Sequence, residues 1–193
     1  VEAVGGVISG SLALLADDPR VSSNRVIFPV SSAFRSLLEG LAEGKNDQQV
    51  RLDFAQELHF GDRFQLALEI VDSVLEGDPR CTRGQVLRAD LLEHLKRYSE
   101  AEDLLGEVLS ENSECVEAWG VLGLVHWNRS NWEGVRLAAE ARLALLDGQS
   151  WERAGILLER CRALLELGDF ARLDSELAEL SALPSRLDRL RVY

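Results

Sequence analysis

At 193 residues the chain is long enough for one domain to bury roughly 70% of the surface its unfolded form exposes, so neither disulfides nor metals are needed to hold it together. Its 33 acidic and 21 basic residues give a formal net charge of −12, a field that repels nucleic-acid phosphates and anionic lipid surfaces. Cys81, Cys115 and Cys161 form no metal-ligand spacing and the 3 histidines stand singly, so no metal site and no cofactor is expected.

Residues 1–16 are apolar but lack a basic leader, contain Gly5, Gly6 and Gly10, and are too short to span a bilayer. They read as neither signal peptide nor membrane helix, and a cytoplasmic location is the expectation. Helices are predicted over 9–16 and 31–41, with Ser9 and Ser31 as N-caps and a loop carrying Pro19 and Pro29 between them. Residues 1–45 are therefore taken as an N-terminal helical cap or degenerate half-repeat, covering the apolar face that the end of a helical stack would otherwise expose.

From residue 46 a fixed offset of 34 organises the chain. Phe64, Tyr98 and Trp132 align under it, as do Ala67, Ala101 and Val135, then Val71, Leu105 and Ala139, then Leu75, Leu109 and Leu143. Within each period the apolar residues recur at three- and four-residue steps, the spacing of an amphipathic helix. Phe64, Ala67, Leu68, Val71 and Leu75 form one stripe, and Tyr98, Ala101, Leu105, Val108 and Leu109 the next. Turn residues stand just ahead of each aromatic, at Gly61-Asp62-Arg63, Lys96-Arg97, Ser130-Asn131 and, in the last period, Gly168-Asp169. Pro79 and Pro184 close second helices. Four helix pairs are predicted over 48–80, 82–114, 116–147 and 154–183, within a repeat region 46–184 followed by a tail over 185–193. Residues 148–153 interrupt the spacing before the last pair.

Trp119-x2-Leu122-Gly123-x2-His126 resembles the opening of the tetratricopeptide motif, with His126 where Tyr is usual, and Pro79 matches its closing proline. The resemblance implies an all-α, right-handed α-solenoid of stacked antiparallel helix pairs, about four repeats plus the N-terminal cap. Arg88, at a position where the motif has Leu, and Val135 and Ala139 depart from the pattern. Stacked helix pairs curve into an extended concave face suited to a peptide or helix. In the family the first helix of each pair lines that groove. Carried onto this chain, the groove positions are Leu52, Gln56 and His59; Val86, Asp90 and His94; Leu124, Trp127 and Asn128; and Leu158, Arg162 and Leu165. Trp127 follows His126 and is expected to point away from the intra-repeat core. Gln, Asp and apolar residues stand where chaperone-tail-binding members of the family carry a Lys, Asn and Arg carboxylate clamp, so that ligand is not expected.

No HExxH, P-loop, GxSxG or dinucleotide fingerprint occurs, and the acidic clusters at Glu100, Glu102 and Asp103 and at Glu114 and Glu117 read as solvated helix faces. The expectation is a non-catalytic protein-protein interaction scaffold or adaptor that binds a peptide or amphipathic helix, favourably one carrying Lys or Arg, and neither nucleic acid nor a membrane interior. An escort chaperone for an aggregation-prone subunit and a regulatory arm of a larger enzyme are the alternatives, and the sequence leaves the oligomeric state open.

Overall fold

The computed structural model describes residues 47–146 and 151–182. The expected cap over 1–45, part of the inserted stretch and the tail over 185–193 lie outside the described residues. Eight helices and no strands occur among them: α1 Asp47–Phe60, α2 Phe64–Gly77, α3 Thr82–His94, α4 Tyr98–Glu111, α5 Val116–Asn128, α6 Trp132–Leu145, α7 Trp151–Leu167 and α8 Phe170–Ala182. The chain divides into two compact units, Val1–Arg97 and Tyr98–Tyr193. In the first, α1 packs on α2 and α2 on α3, with α3 also touching α1; in the second, α4 through α8 pack each on the next. None of the described helices is long and apolar enough to cross a membrane.

The helices end where the turn chemistry predicts. Asp62, Lys96, Ser130 and Gly168 adopt left-handed φ values of 59°, 62°, 55° and 74°. In each case the next residue's N–H reaches back five positions: Arg63 donates to the Leu58 carbonyl, Arg97 to Leu92, Asn131 to His126 and Asp169 to Leu164. This closure satisfies carbonyls that a helix end leaves unpaired, and it reverses the chain within a few residues. The next helix begins at once, on Phe64, Tyr98, Trp132 or Phe170. Between pairs, the Cys81 N–H donates to the Asp78 carbonyl and the Cys115 N–H to the Asn112 carbonyl, one repeat apart.

Burial follows the predicted stripes on the second helices. Ala67, Leu68, Ile70, Val71 and Val74 are buried on α2, and Ala101, Leu105, Val108 and Leu109 on α4. On α6, Val135, Ala138, Ala139 and Leu143 are buried, and Ala139 and Leu143 join Ile156 and Leu157 of α7 in one cluster flanked by Leu146 and Leu180. Helix α1 is covered more widely. Its buried residues Val50, Leu52, Phe54, Ala55 and Leu58 span about 200° of its circumference at 100° per residue. Arg88, the departure from the motif, is half-buried and its Nε donates to Asp72 Oδ1 at 2.7 Å, linking α3 to α2.

Candidate functional site

In the first unit the first helices α1 and α3 lie against each other, and polar side chains join them. Arg83 Nη2 donates to Asp53 Oδ1 at 2.7 Å and to Gln56 Oε1 at 3.1 Å, so Gln56 is exposed but tied across to α3. Val86 is half-buried. Leu52 is a correction to the expected groove set: it is 2% exposed and belongs to the core, because the apolar arc of α1 is wider than the family positions allow for.

Asp90 and His94, one turn apart on α3, meet His59 from the last turn of α1. His59 Nε2 is 3.3 Å from Asp90 Oδ2, and the two imidazoles stand edge to face with centroids 4.7 Å apart. His94 Nδ1 lies 3.0 Å from the Asp90 carbonyl oxygen, 3.0 Å from Glu93 Oε2 and 3.8 Å from Asp90 Oδ1. Phe64 closes one side, 4.5 Å from the His94 ring and 5.6 Å from that of His59. Histidines that stand singly in the sequence are therefore gathered here. His59, Asp90 and His94 can each offer one metal-ligating atom, all within 4.8 Å of one another.

In the second unit the expected positions are open. Leu124 is 47% and Trp127 38% exposed on α5, while Leu158 is 55% and Leu165 47% exposed on α7. Trp127 meets Trp132, the first residue of α6, edge to face at 5.3 Å, which holds its indole against the turn. Asn128 Nδ2 donates to the Leu124 carbonyl at 3.3 Å, and Arg162 pairs with Glu166 one turn on at 2.5 Å. Exposed Leu and Trp side chains thus alternate with polar ones along the two helices.

His126 occupies the aromatic slot of the motif. Its ring lies over Gly134, and burial holds its imidazole below the usual histidine range, with the Glu102 carboxylate opposing that shift. Cys81, Cys115 and Cys161 are free thiols; burial, then Glu176, pushes the Cys161 thiol up, which leaves less of the nucleophilic thiolate. Glu93, the one buried charged residue among those described, was not singled out by the sequence, since its neighbour His94 is adjacent in the chain and gives no spacing signal. Phe60 and Phe170 are also exposed, at 69% and 60%, beside two of the turns.

No protein-family model and no curated protein matches the chain. Solved structures do. A double mutant of MamA RS-1 superposes with a TM-score of 0.64 at 19% identity, covering 84% of this chain and 87% of its own. MamA from Desulfovibrio magneticus RS-1, from residue 41 to its end, gives 0.62 at 17% identity over 89% of this chain and 99% of its own. MamA from AMB-1 gives 0.60 at 12% identity over 88% and 98%. At these identities the likeness is one of fold, an all-α solenoid of tetratricopeptide type.

Proposed function

We propose that the protein is a non-catalytic scaffold whose first helices bind an amphipathic helix or extended segment of another protein. The observation that supports this reading is the exposure of Leu124, Trp127, Leu158 and Leu165 on α5 and α7, at positions one or two turns apart along their helices. Second helices also expose apolar side chains, Leu137 on α6 and Leu177 on α8, but on α5 and α7 the exposed Leu and Trp stand beside polar neighbours such as Asn128 and Arg162, the mixed composition of a recognition surface. Trp127 is its anchor: a partner that buries the indole fully draws on an interaction worth about 2 kcal/mol or more. The formal charge of −12 favours a partner segment rich in Lys or Arg, chiefly through association rate and selectivity. The free thiols accord with a reducing, cytoplasmic setting. The same reading takes 46–184 as four repeats and 1–45 as their cap.

The test is capture of partners from a lysate of the source cells by the full chain and by a Leu124→Glu/Trp127→Ala/Leu158→Glu variant. Because these side chains are already solvent-exposed, helicity and melting temperature should match those of the parent while retained proteins disappear. Retention of the same proteins by a folded variant would reject the surface; a variant that unfolds would show that the side chains belong to the core.

A further inference from the structure

We infer that His59, Asp90 and His94 form a binding site for a divalent transition-metal cation of the zinc type, independently of any protein partner. Two imidazoles and one carboxylate are a donor set that suits zinc, cobalt or nickel; calcium and magnesium require mostly oxygen ligands. The spacing is close to what such an ion needs. Zinc bonds of about 2.0–2.2 Å place neighbouring ligand atoms of a tetrahedron about 3.3–3.5 Å apart. His59 Nε2 and Asp90 Oδ2 already stand 3.3 Å apart, and all three candidate ligand atoms fall within 4.8 Å. A rotation of the His94 side chain that shortens the widest of these separations by about 1.3–1.5 Å brings the set to that edge length.

Three further features point the same way. His59 Nε2 is buried and, despite its short distance to Asp90, makes no aligned hydrogen bond, so a buried ring nitrogen faces a carboxylate unsatisfied. A cation between them satisfies both. Glu93, whose carboxylate is buried, stands 3.0 Å from His94 Nδ1. In the tautomer with the proton on Nδ1, that N–H donates to Glu93 or to the Asp90 carbonyl, and Nε2 keeps its lone pair for an ion, the arrangement by which carboxylates orient metal-binding imidazoles. Finally, His59 lies in the last turn of α1 and His94 ends α3, so the negative ends of two helix dipoles converge on the site and favour a cation. With three protein ligands, water completes the coordination.

The experiment is titration of the untagged full chain with Zn2+ by calorimetry and with Co2+ by visible spectroscopy. One ion per chain is expected, with the intense visible bands of four-coordinate cobalt. Asp90→Asn and His94→Gln, near in shape to the parent residues and checked for unchanged helicity, should each weaken Zn2+ binding about 100-fold or more, and Glu93→Gln, acting through His94, about 10-fold. Mg2+ and Ca2+ should not compete, and a Cys81→Ser/Cys115→Ser/Cys161→Ser variant should bind as the parent does. No saturable Zn2+ uptake, a weak six-coordinate cobalt spectrum, binding unchanged in folded Asp90→Asn, or binding lost in the cysteine variant would each overturn the assignment. The cobalt spectrum of the unaltered chain decides the matter even where a variant fails to fold.

Discussion

The contact between His126 and Gly134 shows how a single position can reverse a general rule. Replacing a glycine by alanine where the backbone is helical, as in the first turn of α6, ordinarily stabilises the fold by about 0.4–1 kcal/mol. At Gly134 a Cβ would lie 2.4 Å from Cγ and Cδ2 of His126, and the imidazole is held in place by Asn131, whose Nδ2 is 3.2 Å from His126 Nδ1 and whose Oδ1 caps the Gly134 N–H. Overpacking of this kind costs about 1–3 kcal/mol, so Gly134→Ala should lower the melting temperature. In a His126→Ala background the same substitution should raise it; equal effects in both backgrounds would mean the ring does not occupy that space. His126 also makes stability depend on pH. Its folded pKa lies below that of the unfolded chain, so between about 6.5 and the folded value the unfolded chain binds more protons, and stability falls as pH falls through that window. The melting temperature of His126→Gln, which cannot titrate, should decline less than that of the parent between pH 7.5 and 5.5. Parallel declines would assign the pH dependence to other groups.

Helix ends carry the repeat more faithfully than helix faces do. The four left-handed turn residues fall 34, 34 and 38 positions apart, from 62, 96, 130 and 168, and the larger last step contains the interruption at 148–153. Three of the four are not glycine, and a side chain in this backbone region costs about 1 kcal/mol unless, as for Asp62, a short polar group tolerates it. Lys96→Gly and Ser130→Gly should therefore each stabilise the protein by up to about 1 kcal/mol, and Gly168→Ala should destabilise it by a similar amount in chemical denaturation. Stabilities moving the other way would show that the turns are not left-handed. The apolar phases and the turn residues were legible in the sequence because local spacing dictates both. The burial of Leu52 was not, since it depends on neighbours around α1 that a family register does not encode. Nor was the meeting of His59 with Asp90 and His94: the two histidines lie 35 positions apart, one off the repeat, and only the packing of α3 on α1 brings them together. Leu124, Trp127, Leu158 and Leu165 are exposed on α5 and α7.

At the scale of the whole chain, each helix packs chiefly on its sequence neighbours: α1 on α2 and α2 on α3, and α4 through α8 in succession. The α1–α3 contact is the exception among these helices. A structure assembled this way has stability that is a sum of repeat and nearest-neighbour terms, so damage in one place should weaken its surroundings more than distant helices. Leu68 in α2 and Leu157 in α7 are both buried, and truncating either to alanine should cost about 2–5 kcal/mol locally. Amide hydrogen exchange under native conditions separates local from global loss, because each amide reports the free energy of the opening that exposes it. Leu68→Ala should accelerate exchange most over α1 to α3 and leave α7 and α8 near the parent rates, and Leu157→Ala should do the converse over α6 to α8. Uniform acceleration along the chain in both variants would describe one cooperative globule instead, in which the offset of 34 is a pattern of sequence without consequence for how the protein unfolds.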